Sequence, residues 1–298
     1  MSESSDKRRY QSVFRPDLFA DKVILITGGG SGIGRCTAHE LTSLGAKVVL
    51  TGRRREKLES VAEEIAADGG VADTLTFDIR DGEAVADALD TLLERHGALH
   101  ALVNNAGGQF PSPAAQISEN GFDAVLRTNL LGGFLVAKEA YRRALRKSGG
   151  AIVNVVADMW NGMPGMAHSG AARAGMVNLT KTLAVEWAPS GVRVNSVAPG
   201  WIASSGMDTY SGAMAALIPR LAEAVPQKRL GSEAEVSAAI VFLLSPAAAF
   251  INGETLRVDG AAPLASAIWP MPAHEASKPF EGFHRAVTPK VLGGEGED

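Results

Sequence analysis

Eight residues, Thr27 to Gly34, include five glycines. They follow a β-branched apolar run, Val23 to Ile26, and lead into Ile33, Ala38, Leu41 and Leu44, which recur at helical spacing and stop at Gly45. Strand, glycine turn and helix in that order form a phosphate-binding turn. Glycine lets the backbone approach a diphosphate, and the helix N-terminus offers free N–H groups and positive partial charge. Val23 to Thr27 lacks polar alternation, as expected of a strand buried on both faces of a parallel sheet.

The same rhythm continues. Strands are predicted at Val48–Thr51, Thr74–Asp78, Ala101–Asn104, Ala151–Val156, Val192–Ala198 and Glu254–Val258. Helices are predicted at Arg54–Asp68, Asp81–Gly97, Asn120–Arg146, Ser169–Ala188 and Ser232–Leu244. The expected fold class is α/β: a single domain over 21–260 with a doubly wound parallel sheet of about seven strands. Residues 201–229 lack a clean period and are expected to form a substrate lid, with Met214, Leu217, Ile218 and Leu221 on one amphipathic helix. Residues 1–20 read as an N-terminal arm. Residues 261–298, rich in Pro, Gly and charge, read as a mobile tail or an arm that packs on a neighbour.

Composition narrows the function. With 29 Lys+Arg against 33 Asp+Glu, the net charge of −4 gives no basic surface for nucleic acid. A single cysteine, Cys36, excludes an internal disulfide framework, and the histidines show no ligand spacing such as HExxH, so no metal is expected. Residues 1–10 are followed by no apolar leader, and the stretch Ala238–Ile251 is interrupted at Ser245-Pro246; a cytoplasmic protein without a membrane span is expected. No Gly-x-Ser-x-Gly elbow is present to suggest a serine hydrolase.

The second strand runs out into Gly52-Arg53-Arg54-Arg55. An acid there would accept ribose hydroxyls; guanidinium groups favour a 2′-phosphate through charge-assisted hydrogen bonds. The expected cofactor is therefore NADP(H), with Arg53 the leading contact and Arg54 beside it.

Residues 21–260 resemble the short-chain dehydrogenase/reductase family. The resemblance rests on the glycine turn, Asp78, Asn104-Asn105-Ala106-Gly107, Asn129 and the segment Asn195 to Gly200. It implies a Rossmann-type fold and a homotetramer. It also implies a cofactor site in which Gly28, Ser31, Gly32, Ile33 and Gly34 form the diphosphate turn and Asp78 and Ile79 flank the adenine. Asn104, Ala106 and Gly107 would support the central section, and Pro199, Gly200 and Ile202 would hold the nicotinamide carboxamide.

The departure from that family is informative. Its members usually carry Ser, Tyr and Lys, with Tyr four residues before Lys on one helix face. Tyr10, Tyr141 and Tyr210 are the only tyrosines here, and none has Lys four residues later. Aligning Arg173-Ala174-Gly175 with the family's Lys-Ala-Gly puts Ser169 at the Tyr position, Arg173 at the Lys position and Ala157 at the Ser position. The candidate catalytic residues are thus Asn129, Ser169, Arg173 and His168, with Arg173 also holding the cofactor. Asp158 either orients His168 or Arg173 or caps a turn.

Within the family, the segments Gly107 to Phe110, His168 to Gly175 and Asn178 to Lys181 resemble peroxisomal trans-2-enoyl-CoA reductases. His168 to Arg173 with Met159 to Met166 also resembles bacterial citronellol/citronellal dehydrogenases. Both resemblances imply oily or acyl-CoA substrates, for which Met159, Trp160, Met163, Met166, Trp201 and Met207 offer a soft apolar mouth, although ordinary packing explains them equally well. Alcohol oxidation requires a base for the hydroxyl proton. Reduction of a double bond conjugated to a thioester requires mainly donors for a developing oxyanion. The missing phenol favours the alkene. The alternatives are a terpenoid alcohol dehydrogenase and a non-catalytic NADP(H)-binding scaffold.

Overall fold

The computed structural model describes residues 9–265 and 271–294. Their strands are β1 (Val23–Thr27), β2 (Lys47–Gly52), β3 (Val71–Thr76), β4 (Ala101–Asn104), β5 (Gly150–Val155), β6 (Val192–Pro199), β7 (Ile202–Ala203), β8 (Gly231–Ser232) and β9 (Thr255–Val258). Seven form one parallel sheet in the order β3-β2-β1-β4-β5-β6-β9. The doubly wound class expected from sequence is the one found.

The α-helices are α1 (Gly32–Ser43), α2 (Arg55–Ala67), α3 (Gly82–His96), α4 (Glu119–Leu126), α5 (Gly133–Ala140), α6 (Arg146–Ser148), α7 (Ala167–Trp187), α8 (Gly212–Leu217), α9 (Leu221–Ala224) and α10 (Glu233–Leu244). Local chemistry fixes several ends. The Asp81 carboxylate accepts from the N–H groups of Glu83 and Ala84 to start α3, and Gly97, in the left-handed region, ends it. Ser232 and Glu235 form a reciprocal capping box at α10.

Every residue of β1 is buried, and alternate side chains feed two apolar layers. Ile24 and Ile26 pack with Leu41, Val236 and Ile240 on the α1/α10 face; Leu25 packs with Leu89, Val136 and Leu183 on the α3/α5/α7 face. Each such side chain contributes about 1.5–3 kcal/mol on burial. A one-residue slip of β1 would exchange the two sets, so packing fixes the register that aims the glycine turn.

Three expectations need correction. The third strand begins at Val71, not Thr74, and ends before Phe77 and Asp78. It is an edge strand with mostly half-buried residues, so it lacks the continuous apolar run that reveals an interior strand. The long helix through Asn120–Arg146 is interrupted by two π-helical turns, Arg127–Gly132 and Tyr141–Leu145. The 201–229 segment holds α8 and α9 separated by a 3-10 turn at Ile218–Arg220, because Pro219 cannot continue the hydrogen-bond ladder of a single helix. Residues 271–294 pack on their own chain. Phe283 is buried with Tyr10, Cys36 and Ala234, and Asp208 accepts from the N–H groups of Lys290 and Val291.

Among the described residues, no helix is long and apolar enough to cross a membrane.

Candidate active site

The sheet order reverses between β1 and β4, and their carboxyl ends flank a cleft of about 330 Å³. Ten of the expected cofactor residues line it: Gly28, Ser31, Gly32, Ile33, Arg53, Arg54, Asp78, Ile79, Ala106 and Gly107. Gly28 and Gly32 have φ of +67° and +57°, where a side chain would be strained. Gly34 is required by proximity, since a Cβ there would lie 2.4 Å from the Gly28 carbonyl oxygen.

Asn105, not singled out by the sequence reading, braces this turn. Its Nδ2 donates to the carbonyls of Thr27 and Gly28 at 3.0 and 3.1 Å, while its backbone N–H and that of Ala106 donate to Thr27 Oγ1 at 3.0 Å. The neighbouring Asn104 is tied into the protein instead: its Nδ2 donates to Gly133 O and Asn154 Oδ1, both at 3.0 Å. The adjacent pair of asparagines in the sequence was a signal for both. Asn104, Gly34, Arg173, Pro199, Gly200 and Ile202 are not among the residues of the cleft wall, which includes Ser204 and Gly206.

Arg53 and Arg54 are exposed at the end of β2, and their guanidinium groups make no hydrogen bond or ion pair among the described residues. Asp78 is engaged by Arg80, whose guanidinium reaches both carboxylate oxygens at 2.6–3.0 Å. That contact, aided by the charge of Arg53, holds its carboxyl below the usual range.

The reaction end lies between β5, α7 and the first π-helical turn. Arg173 Nη1 donates to the Val155 carbonyl at 2.9 Å, while its Nε is out of solvent and has no partner. A Cβ added to Gly107 would fall 2.6 Å from Arg173 Nη2 and 3.0 Å from Asn129 Oδ1, so these three residues meet closely. Arg173 is half-buried as a residue but its guanidinium is deeply enclosed; desolvation alone lowers its pKa to about 10, with no carboxylate counteracting it. A buried cation without an anion is costly unless a ligand supplies the missing partner.

Asn129 is held within the π-helical turn, a distortion that often re-aims functional side chains. Its Oδ1 accepts from Gly108 N and its Nδ2 donates to Gly108 O, both at 2.9 Å, so it fixes the Gly107-Gly108 backbone. His168 is fully buried, edge-on to Phe110 with ring centroids 4.5 Å apart. Its Nδ1 accepts from the Ser169 N–H at 2.8 Å, which places the neutral ring's proton on Nε2, an atom with no protein partner. Among the described residues, Asp158 makes no hydrogen bond or ion pair with His168 or Arg173. Burial raises its pKa, with the Trp160 backbone hydrogen bond opposing and the nearby Asp259 charge reinforcing that rise.

Ser169 Oγ donates to Gln109 Oε1 at 2.5 Å, and Gln109 Nε2 donates to the Tyr210 hydroxyl at 2.9 Å. The Ser169 hydrogen is therefore directed to Gln109 and is not free for an oxyanion. This chain joins α7 to the 201–229 segment. Gln109 and Tyr210 are 101 positions apart, and no local signal linked them.

A glycine cradle at the switch point of a doubly wound sheet, beside an enclosed guanidinium with no counter-ion, defines a dinucleotide-dependent oxidoreductase. The chain belongs to the short-chain dehydrogenase/reductase family: residues 28–261 match the family described as enoyl-(acyl carrier protein) reductase. Among its relatives is the peroxisomal 2,4-dienoyl-CoA reductase of Danio rerio, 37% identical and covering 87% of each chain. The mouse enzyme of the same name is 37% identical and covers 84% of this chain and 87% of its own. A solved structure of the citronellol catabolism dehydrogenase (AtuB) of Pseudomonas aeruginosa PAO1 is 60% identical, with a TM-score of 0.77, covering 85% of this chain and 99% of that one.

Proposed function

We propose that the chain is an NADP(H)-dependent reductase of a carbon–carbon double bond conjugated to the carbonyl of a hydrophobic acyl thioester. The observation that carries this reading is Arg173: an enclosed guanidinium with a partnerless Nε, on a helix that carries no tyrosine. The glycine cradle, which a Cβ at Gly34 would obstruct, and the unpaired Arg53 and Arg54 fit a 2′-phosphorylated dinucleotide. When bound, the nicotinamide supplies hydride to the β-carbon.

The protein's own groups handle charge and proton. Arg173 places fixed positive charge and N–H donors where the enolate oxygen develops, an arrangement in which one preorganised donor contributes about 3–4 kcal/mol. Asn129 positions Gly107 and Gly108. The α-carbon takes its proton from solvent water, which the Nε2–H of His168 is assigned to orient. The 201–229 segment acts as a lid that excludes water, held by the Tyr210–Gln109–Ser169 chain. Relatives named as 2,4-dienoyl-CoA reductases support the substrate class. A homotetramer, as the family resemblance implies, and a cytoplasmic location belong to the same reading.

The identity to the citronellol catabolism dehydrogenase favours a second reading, oxidation of an acyclic terpenoid alcohol, with Tyr210 as the nearest phenol linked to the site. Steady-state assays separate the two. NADPH consumption with crotonyl-CoA and longer 2-enoyl- or 2,4-dienoyl-CoA, and little turnover of citronellol with NADP+, is expected. The opposite pattern reverses the assignment; tight NADPH binding without turnover on either panel supports a scaffold.

A further inference from the structure

On the face of the sheet occupied by α1 and α2, far along the chain from any expected ligand spacing, the structure gathers His39, Asp68 and His284. His39 comes from α1, Asp68 ends α2, and His284 arrives on the C-terminal arm. One nitrogen of each imidazole and one Asp68 oxygen all lie within 4.8 Å of one another. Asp68 Oδ2 is 3.1 Å from His39 Nδ1 and 2.9 Å from His284 Nε2. These separations are close to the edge of about 3.3 Å expected for a tetrahedron with bonds of about 2.0–2.1 Å.

Three further features match a metal site better than a hydrogen-bonded cluster. First, His284 presents Nε2 at 2.9 Å from Asp68 Oδ2 in a largely buried setting, while its Nδ1 has no hydrogen-bond partner among the described residues. Second, the other nitrogen of His39 sits 3.1 Å from Glu64 Oε2, and Arg35 fixes Glu64 through Nε at 2.8 Å and Nη2 at 3.1 Å. A carboxylate behind a ligating histidine is the usual outer support of a zinc-bound imidazole. Third, a surface cavity of about 310 Å³ is lined by both His39 and Asp68, giving a path for the cation and a water ligand. Arg285 holds Asp68 Oδ1 at 2.7 Å and Oδ2 at 3.1 Å, fixing the carboxylate in place.

We infer that His39, Asp68 and His284 bind one zinc-class divalent cation, with water completing the coordination. Two imidazoles and one carboxylate suit Zn²⁺ and its substitutes Co²⁺ and Ni²⁺, and disfavour Mg²⁺ and Ca²⁺. The site's function is to clasp the C-terminal arm. Six residues beyond His284, Lys290 and Val291 donate backbone hydrogen bonds to Asp208 in the 201–229 segment, and Val291 and Leu292 pack against its apolar cluster. Fixing the arm at one end therefore braces that segment at the other.

The test uses the full chain, stripped with chelator and titrated with Co²⁺. Visible d–d absorption saturating at one equivalent, displaced by Zn²⁺, is expected, with at least a tenfold weaker apparent affinity in His284→Ala and in Asp68→Asn. In a second measurement, added Zn²⁺ slows proteolytic removal of the arm in the parent protein and has no effect in His284→Ala, a change on the arm itself that leaves α1 and α2 intact. No visible band, a band unaltered by His284→Ala, or arm cleavage insensitive to Zn²⁺ overturns the inference.

Discussion

The glycine turn and the α7 region are built on opposite terms. Around the glycine turn, the groups that shape the backbone are matched within the protein, and the unpartnered atoms beside it, Thr51 Oγ1 and Asn104 Oδ1, are neutral: Asn105 closes onto Thr27 and Gly28, and Thr27 Oγ1 receives two N–H groups. Around α7, polar capacity is left over: Arg173 Nε and His168 Nε2 are buried with nothing to bond, and Arg173 has no carboxylate. A satisfied network fixes shape, whereas an incomplete one carries a standing free-energy deficit that a bound ligand relieves. The first region is thus read as the mould for the dinucleotide and the second as the place where charge develops. Substitutions in the two should fail differently.

The largest effect is expected at Arg173. Arg173→Met should lower kcat/KM for enoyl-CoA reduction by about 10²–10³-fold, the loss seen when one preorganised donor is removed, with Arg173→Lys recovering part of it. The comparison breaks if Arg173→Met retains parent activity. The pH dependence has a definite sign: burial lowers the pKa to about 10, so the cation and its ligand contacts are complete below that value and fade as pH rises through it. An anionic ligand raises this pKa. NADPH affinity measured from about pH 8 to about pH 10.5 should fall at the alkaline end, and the fall should vanish in Arg173→Met.

A smaller and more selective effect is expected at the mould. Arg53→Asp should weaken NADPH by about 10–100-fold while affecting NADH far less, since charge-assisted bonds to the 2′-phosphate are lost and a ribose acceptor is gained. Equal losses for both cofactors would place the phosphate elsewhere. Below this lies Gly34→Ala. The added Cβ meets the Gly28 carbonyl at 2.4 Å, so the turn must shift, and about 1–3 kcal/mol of stability should be lost in denaturant unfolding alongside weaker cofactor binding. A variant with unchanged stability and affinity would show that the turn yields easily.

The legibility of the two regions differs for the same physical reason. Short-range patterns specified the turn: β1, the glycines and α1 are contiguous, so spacing alone announced them. The α7 region depends on contacts between distant segments. Nothing in the local sequence around Tyr210 indicates that its hydroxyl meets Gln109, or around His284 that it meets His39 and Asp68. Asn129 was found by resemblance, but its engagement with Gly108 follows from a π-helical turn that helical periodicity does not announce. Phe77 and Asp78 fell into the predicted third strand because the actual strand lies at the sheet edge, where half-burial weakens the hydrophobic signal. Pro219 alone was a visible warning against one continuous lid helix.

The smallest expected effect is also the most discriminating. Tyr210 contributes a hydroxyl that accepts from Gln109 Nε2 at 2.9 Å, and an amide cannot readily pass a proton from Ser169 to that phenol. If the reaction is alkene reduction, Tyr210→Phe removes one neutral hydrogen bond of about 0.5–1.5 kcal/mol from the latch. KM for the acyl substrate should then rise by less than about tenfold, with kcat and the pH profile unchanged. If a terpenoid alcohol is the substrate and the phenol swings in as base, the same change should lower kcat by about 10²–10⁴-fold and remove a titrating limb from the rate profile. A KM-only effect keeps the distinction between mould and charge-bearing end; a collapse in kcat moves the proton chemistry from α7 to the lid.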